Sequence, residues 1–226
     1  MKKPKNYQKI LDLLEERWQH EADIPSIVPL FEEPLDDLIL TLLSQNTNDI
    51  NRDKAYDRLR TKFPTWEQVA NATKEEIKEC IKVAGLGESK SSRMKIVLDT
   101  IKEKFGKYSI KELCNWESEE IRSFLTSLPG IGIKTAGVVM VFDLGKPAFP
   151  VDTHLARISK RLGWAGEKTP PDKIQEYLEA TLPQERFGGA HLNLIEHGRH
   201  ICNAKKPKCN ECPLKKYCVF VKTLDV

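Results

Sequence analysis

Leu128-Pro129-Gly130-Ile131-Gly132-Ile133-Lys134-Thr135-Ala136 joins an amphipathic segment, with Ile121, Phe124, Leu125 and Leu128 at helical spacing, to a nearly all-apolar one. Gly130 and Gly132 permit a tight turn and close backbone approach, and Pro-Gly-x-Gly-x-Lys between two helical segments reads as a helix-hairpin-helix. An ordinary helix–helix connection can use a single Gly-x-Gly. The longer combination is the more specific signal. Amides at the start of the second helix point outward at the positive end of its dipole, which suits a phosphate.

Outward from the hairpin, apolar residues recur at helical spacing: Leu35, Leu38, Ile39, Leu42 and Leu43, then Ile77, Cys80, Ile81 and Ala84. Thr65 with Gln68 and Thr73 with Glu76 fit capping boxes, in which each side chain satisfies an orphan amide of a first helical turn. Pro64, Gly85, Gly106, Pro129-Gly130, Pro170-Pro171, Pro183 and Gly188-Gly189 divide the chain into helices of roughly 8–16 residues, without a period-2 strand. The expectation is an all-α protein. Cys80 and Cys114 are expected in its core.

The 226 residues suffice for one large domain or two modest ones, and 40% hydrophobic with 31% charged residues is ordinary for a soluble protein. Neither a repeat nor a low-complexity tract is present. The basic start MKKPKNYQK leads into an amphipathic pattern, and the densest apolar run, Val138 to Phe142, is too short to span a bilayer. An intracellular, cytoplasmic protein with no membrane contact is expected. A net charge of +3 neither demands nor excludes a nucleic-acid partner. Lys205, Lys206, Lys208, Lys215, Lys216 and Lys222 do cluster near the C-terminus, where a solvated basic face is the plain alternative.

Lys134 falls in the first turn of the hairpin's second helix, where the dipole disfavours an ammonium. With a reference pKa near 10.4, a lysine is neutral at pH 7 only about once in 2,500 molecules, so a nucleophilic lysine needs an environment that lowers its pKa. Helix start and partial burial both push that way. A lysine touching a phosphate is an equal alternative at this point.

Asp152, in Val151-Asp152-Thr153-His154, is placed as the N-cap of another helix, a purely local role that Asp favours. A carboxylate there also suits the positive charge that develops on a sugar in an oxocarbenium-like transition state. His154 is expected to be structural. Cys202, Cys209, Cys212 and Cys218, spaced C-x6-C-x2-C-x5-C, make a ligand set for a metal centre. Zinc modules usually bring two ligand pairs together across a longer segment, so a [4Fe–4S] cluster is favoured over zinc, and disulfides are disfavoured without a secretory signal.

Taken together, LPGIGIKTAG, VDTH, HGRHIC and the cysteine run resemble the endonuclease III family of helix-hairpin-helix DNA glycosylases, in order and spacing from Leu35 to Cys218. The resemblance implies a two-lobed helix-hairpin-helix glycosylase fold with a C-terminal [4Fe–4S] cluster loop. One lobe would be a six-helix body of residues 28–146, the other a discontinuous lobe of residues 1–27 plus 147–226, with DNA between them. It implies a monomer acting in base excision repair, nucleoid-associated by function, on double-stranded DNA with a damaged base or an abasic site.

Lys134 matches the family's catalytic lysine, which attacks C1′, expels the base, forms a Schiff base and promotes β-elimination; Asp152 matches the assisting aspartate. The four cysteines match the cluster ligands, the cluster holding the loop Asn203 to Lys208, with Lys205, Lys206 and Lys208, toward the phosphate backbone. Gly130, Gly132, Ile133 and Thr135 match the hairpin's DNA contacts. Leu86 matches a wedge that fills the gap left by a flipped base. Asn46, with Gln45 beside it, stands where better-known members carry the glutamine that probes the orphaned partner base.

Two positions depart from the family pattern: Ile133 stands where an arginine commonly precedes the lysine, and Gly137 where an asparagine commonly follows. The leading expectation is removal of oxidised pyrimidines with associated lyase activity. A glycosylase with altered base choice (uracil, a mismatched base or another lesion) and weak lyase activity is a second, and a non-catalytic DNA-binding protein on the same scaffold a third.

Overall fold

A computed structural model of the protein describes residues 5–21 and 31–224. Among these residues the chain is all-helical, without a strand. In chain order the helices are α1 (Tyr7–Trp18), α2 (Pro34–Ser44), α3 (Asp49–Lys62), α4 (Trp66–Asn71), α5 (Lys74–Ile81), α6 (Gly87–Phe105), α7 (Ser118–Ser127), α8 (Ile133–Phe142), α9 (Thr153–Arg161), α10 (Pro171–Glu179) and α11 (Phe187–His200).

The chain divides into two compact units, residues 28–144 and residues 1–27 with 145–226. The expected boundary at residues 27 and 28 lies outside the described residues. The other division follows Leu144 and not residue 146. Among its described residues the unit of residues 28–144 carries seven α-helices, α2 to α8, where six were expected, the shortest being α4 with six residues.

α2 forms the centre of that unit. Glu33 caps it, accepting from the Leu35 amide at 3.3 Å, and Pro34 occupies its first turn, where a missing N–H costs nothing. Every residue from Pro34 to Leu43 except Asp36 is buried, as befits a helix that is apolar nearly all round. Each fully buried leucine here contributes roughly 1.5–3 kcal/mol by removal from water. α8 packs on both α2 and α7. Both Thr capping boxes form as the sequence requires, at α4 and α5.

In the other unit α11 packs against α1 and α9. Gly198 is needed there: a Cβ on it would stand 2.7 Å from the Cβ and Nδ1 of His154. Arg186 reaches Asp12 at 2.8 Å and Glu15 at 2.6 Å on α1, and Asn193 exchanges hydrogen bonds with the backbone of His20.

Three expectations change. Cys114 is exposed, in a 3₁₀ turn at Lys111–Asn115 whose one buried residue is Leu113, so of these two cysteines Cys80 alone is buried. Gly188 and Gly189 do not break the chain but lie buried in the first turn of α11, because the 3₁₀ turn Gln184–Arg186 feeds directly into it. α6 runs to 19 residues, past the expected range.

Candidate active site

The hairpin is built from its caps inward. α7 begins with a capping box of Glu117 and Glu120, and ends at Leu128, whose carbonyl accepts from the Ile131 amide at 3.1 Å to close the turn. Gly130 sits there at φ +84°, and a Cβ on it would meet Arg93 Cδ at 2.7 Å, so both backbone and space require glycine. Gly132 is the N-cap of α8 and brings no side chain to the first-turn amides. Those orphan donors are therefore open to an anion. Ile133 and Lys134 are half-buried in that turn, while Thr135 is buried.

Around the turn the structure gathers residues that lie far apart in sequence. Gln45 donates from Nε2 to the Gly130 carbonyl at 2.7 Å and accepts from Arg93 Nη1 at 3.2 Å. Its amide is thereby committed to the hairpin. Asn46, next to it, is exposed, left-handed at φ +53°, and makes no hydrogen bond with its side chain among the described residues. Leu86 is also left-handed, at φ +51°, and 55% exposed, at the N-cap of α6. Such a backbone costs on the order of 1–3 kcal/mol for a non-glycine residue, and outliers of this kind cluster at functional sites.

Beneath Leu86 lies Lys90, which composition and motif reading did not single out. It is 1% exposed, and its Nζ donates to the carbonyls of Leu43 at 2.7 Å and Ala84 at 2.8 Å. Burial pushes its pKa down. The signal was present: Lys90 continues backward the apolar stripe Met94, Val97, Leu98 and Ile101 of α6, and a lysine in such a stripe needs internal acceptors.

In the other unit Asp152 is the N-cap of α9, accepting from the Leu155 amide at 2.8 Å. His154 packs on Gly198, and its Nδ1 lies 3.1 Å from Arg157 Nη2 and accepts from that guanidinium. The far end of α9 holds the cysteine loop. Arg157 donates to the carbonyls of Cys202 and Gly198, both at 2.9 Å, and Arg161 to those of Asn203 at 2.8 Å and Ala204 at 2.9 Å, with Nη1 3.2 Å from Cys202 Sγ. Lys205, Lys206 and Lys208 are exposed on this loop.

Cys202, Cys209, Cys212 and Cys218 are free thiols that all border one small cavity, together with Arg161 and Phe220. Among the described residues no three His, Cys, Asp or Glu side chains converge on a point fit for a single ion. A cubane cluster takes one thiolate per iron, so its ligands ring a volume and need not meet at a point. Burial, with the neighbouring thiols, pushes Cys212 up to about 11, and burial raises Cys218 as well. Four crowded thiols become thiolates only against a strong positive charge, and the donor set fits a cluster on that ground. His197 stands 3.5 Å from Cys212 Sγ, and burial with Arg17 nearby holds it down to about 4, so it is neutral there.

Comparison with known proteins agrees with this reading of fold and hairpin. Residues 39–184 match the HhH-GPD superfamily of base excision DNA repair proteins. Endonuclease III of Thermotoga maritima is 38% identical over 188 residues, 83% of this chain and 84% of that protein. The solved structure of a non-covalent endonuclease III–DNA complex aligns with a TM-score of 0.82 at 28% identity, covering 100% of this chain and 99% of that one. A trapped endonuclease III–DNA covalent intermediate, an estranged-adenine complex, aligns with a TM-score of 0.81 at 28% identity over the whole of both chains.

Fold and hairpin thus define a helix-hairpin-helix DNA glycosylase of base excision repair. The chain belongs to the endonuclease III family of that superfamily. Among the described residues no helix is long and apolar enough to cross a membrane.

Proposed function

We propose that the protein is a bifunctional glycosylase and abasic-site lyase acting, as a monomer in the cytoplasm, on oxidised pyrimidines in double-stranded DNA. The observation that carries this reading is Lys134: a half-buried lysine in the first turn of the hairpin's second helix, beside amides that no side chain caps. Lys134 Nζ attacks C1′ of the damaged nucleotide, the C1′–N bond breaks, and the base leaves with its electron pair. Nζ then sheds a proton and the C1′–O4′ bond breaks, opening the sugar to a Schiff base, which withdraws electrons so that a C2′ proton is lost and the 3′ phosphate departs by β-elimination. Asp152 offsets positive charge on the sugar as the base leaves, and assists deprotonation of Lys134.

The amides from Gly130 to Thr135 and the ammonium groups of Lys205, Lys206 and Lys208 take backbone phosphates, Leu86 enters the stack, and Asn46 meets the unpaired base. Cys202, Cys209, Cys212 and Cys218 would hold the [4Fe–4S] cluster, which supplies structural support to the lysine loop when bound. A relative trapped as a covalent DNA intermediate supports the covalent route.

Sodium borohydride trapping of the wild type and Lys134→Ala on duplexes bearing thymine glycol, uracil or an abasic site tests the proposal. A covalent adduct on thymine glycol and abasic duplexes, absent in the variant, is the expected result. Base release without an adduct would make the enzyme monofunctional. Preference for uracil would place the effect of Ile133 and Gly137 in base choice.

A further inference from the structure

α6 enters the candidate site with two cations one turn apart, Lys90 and Arg93, and both point inward to segments that belong to other elements. Lys90 Nζ joins the Leu43 carbonyl, near the end of α2, to the Ala84 carbonyl, two residues before Leu86. The Lys90 amide also donates to the Leu86 carbonyl at 2.9 Å. Arg93 donates to Gln45, and Gln45 in turn donates to the Gly130 carbonyl of the hairpin. Asn46 and Leu86, both left-handed and exposed, and the hairpin turn therefore hang on one helix face through four side-chain hydrogen bonds.

We propose that Lys90 and Arg93 are positioning residues that lock the Leu86 loop, the Gln45-Asn46 loop and the hairpin turn into one rigid edge, and so set how strictly the enzyme reads the base opposite the lesion. The inference rests on the roles given above to Leu86 and Asn46. Its physical basis is that neither residue holds its own place. Each is a short left-handed excursion between a helix end and solvent, and a displacement near 1 Å at such a point can cost about a hundredfold in a reaction that depends on geometry. Lys90 is an unusual way to build a scaffold, because a buried ammonium with only two carbonyl acceptors is itself costly. A purely structural tie between α2 and α6 would be made more cheaply by a leucine. The ammonium fixes two carbonyls in mutual register, which an apolar contact cannot.

Lys90→Met keeps length and apolar stem while removing the donor, and Arg93→Met does the same at a half-buried position whose loss leaves the core intact. Arg93→Lys retains a donor for Gln45. For each variant and the wild type one measures thermal unfolding, affinity for undamaged duplex, and affinity for and borohydride trapping on an abasic site opposite each of the four bases. The expected result is a spread of affinities across the four opposing bases that shrinks about tenfold in both Met variants, with undamaged-duplex affinity held within about twofold and with partial recovery in Arg93→Lys. If folding stability falls but the spread among opposing bases survives, the two residues are merely structural and the inference is overturned. If Lys90→Met does not fold, the Arg93 pair decides alone. A wild type that traps abasic DNA without distinguishing opposing bases would overturn the inference while leaving the proposed lyase chemistry standing. A wild type that neither traps nor prefers lesion DNA would end both.

Discussion

Asp143, at the C-cap of α8, and Asp37, in the first turn of α2, face each other in the interior of the unit of residues 28–144, at 7% and 9% exposure. No donor among the described residues reaches either carboxylate oxygen of Asp143, so two acceptors confront each other unless one retains its proton. Burial, with the facing Asp37 carboxylate, pushes Asp143 up to about 9, and burial raises Asp37 against the pull of Arg52 and Lys134. A raised carboxyl stabilises the fold fully below its unfolded pKa, near 4, and that contribution is lost as pH rises toward the folded value. Stability is expected to decline from pH 5 to pH 8 by up to about 1.4 kcal/mol per unit for one retained proton. Asp143→Asn supplies a permanent donor and should flatten that slope. Urea unfolding of both proteins at the two pH values checks it, and parallel slopes would remove the dyad from the account.

Asp152 carries two roles that substitution can separate. Its side chain caps α9 through the Leu155 amide, and asparagine caps a helix about as well. Asp152→Asn should leave thermal stability within a few tenths of a kcal/mol while base release slows by about two orders of magnitude or more, since the amide carries no charge to offset the sugar cation. Asp152→Ala should lose the same activity and about 1 kcal/mol of stability besides. Equal glycosylase rates in the wild type and the Asn variant would reduce Asp152 to a cap.

Leu86 is held at φ +51° with more than half its surface in water, so the folded protein gains little from its side chain. Leu86→Gly removes roughly 1–2 kcal/mol of left-handed strain and gives back a comparable amount in unfolded-chain entropy, leaving stability nearly unchanged. Affinity for abasic-site duplex should nevertheless drop by about tenfold, with undamaged duplex unaffected, because nothing then fills the gap in the stack. A fluorescence anisotropy titration with both duplexes reads this directly. A large loss of stability with unaltered lesion affinity would assign Leu86 to packing.

Local physics made much of this protein readable from its sequence, and long-range pairing set the limit. Thr65 and Thr73 announce their helices because a capping box closes within four residues, and Asp152 caps α9 for the same reason. The hairpin is legible because glycine at positive φ and an uncapped helix start are both local requirements. Arg93 and the Asp37–Asp143 pair were not legible, since each acquires meaning from a partner 40 or more residues distant, and the place of Lys90 in an apolar stripe announces burial but not its bond to Leu43 across 47 positions. Gln45 shows the same limit from the other side: its neighbours in sequence suggest an exposed probe, whereas Gly130 and Arg93 draw its amide into the hairpin. Cys114 misled because the short 3₁₀ turn that holds it buries only Leu113 and leaves the cysteine beside it exposed.

The lysine loop offers a prediction that separates electrostatics from scaffold. Lys205, Lys206 and Lys208 are exposed, and the backbone between Cys202 and Ala204 is clasped by Arg157 and Arg161, with Arg161 also stacked 4.5 Å over the Phe220 ring. Each phosphate contact releases counterions and contributes roughly 0.9 to the slope of log affinity against log salt. Replacing all three lysines by alanine should therefore lower that slope by up to about 2.7 and weaken binding to all duplexes alike, with the cluster still bound. Arg161→Met acts differently. Removing the clasp leaves the charges in place but their loop without support, so affinity should fall while the lysines, when they do engage, still give a slope close to the wild type's. Iron content and visible absorbance, followed beside the salt titration, complete the test. A triple variant whose slope equals that of the wild type would move the phosphate contacts away from this loop and onto the hairpin amides alone.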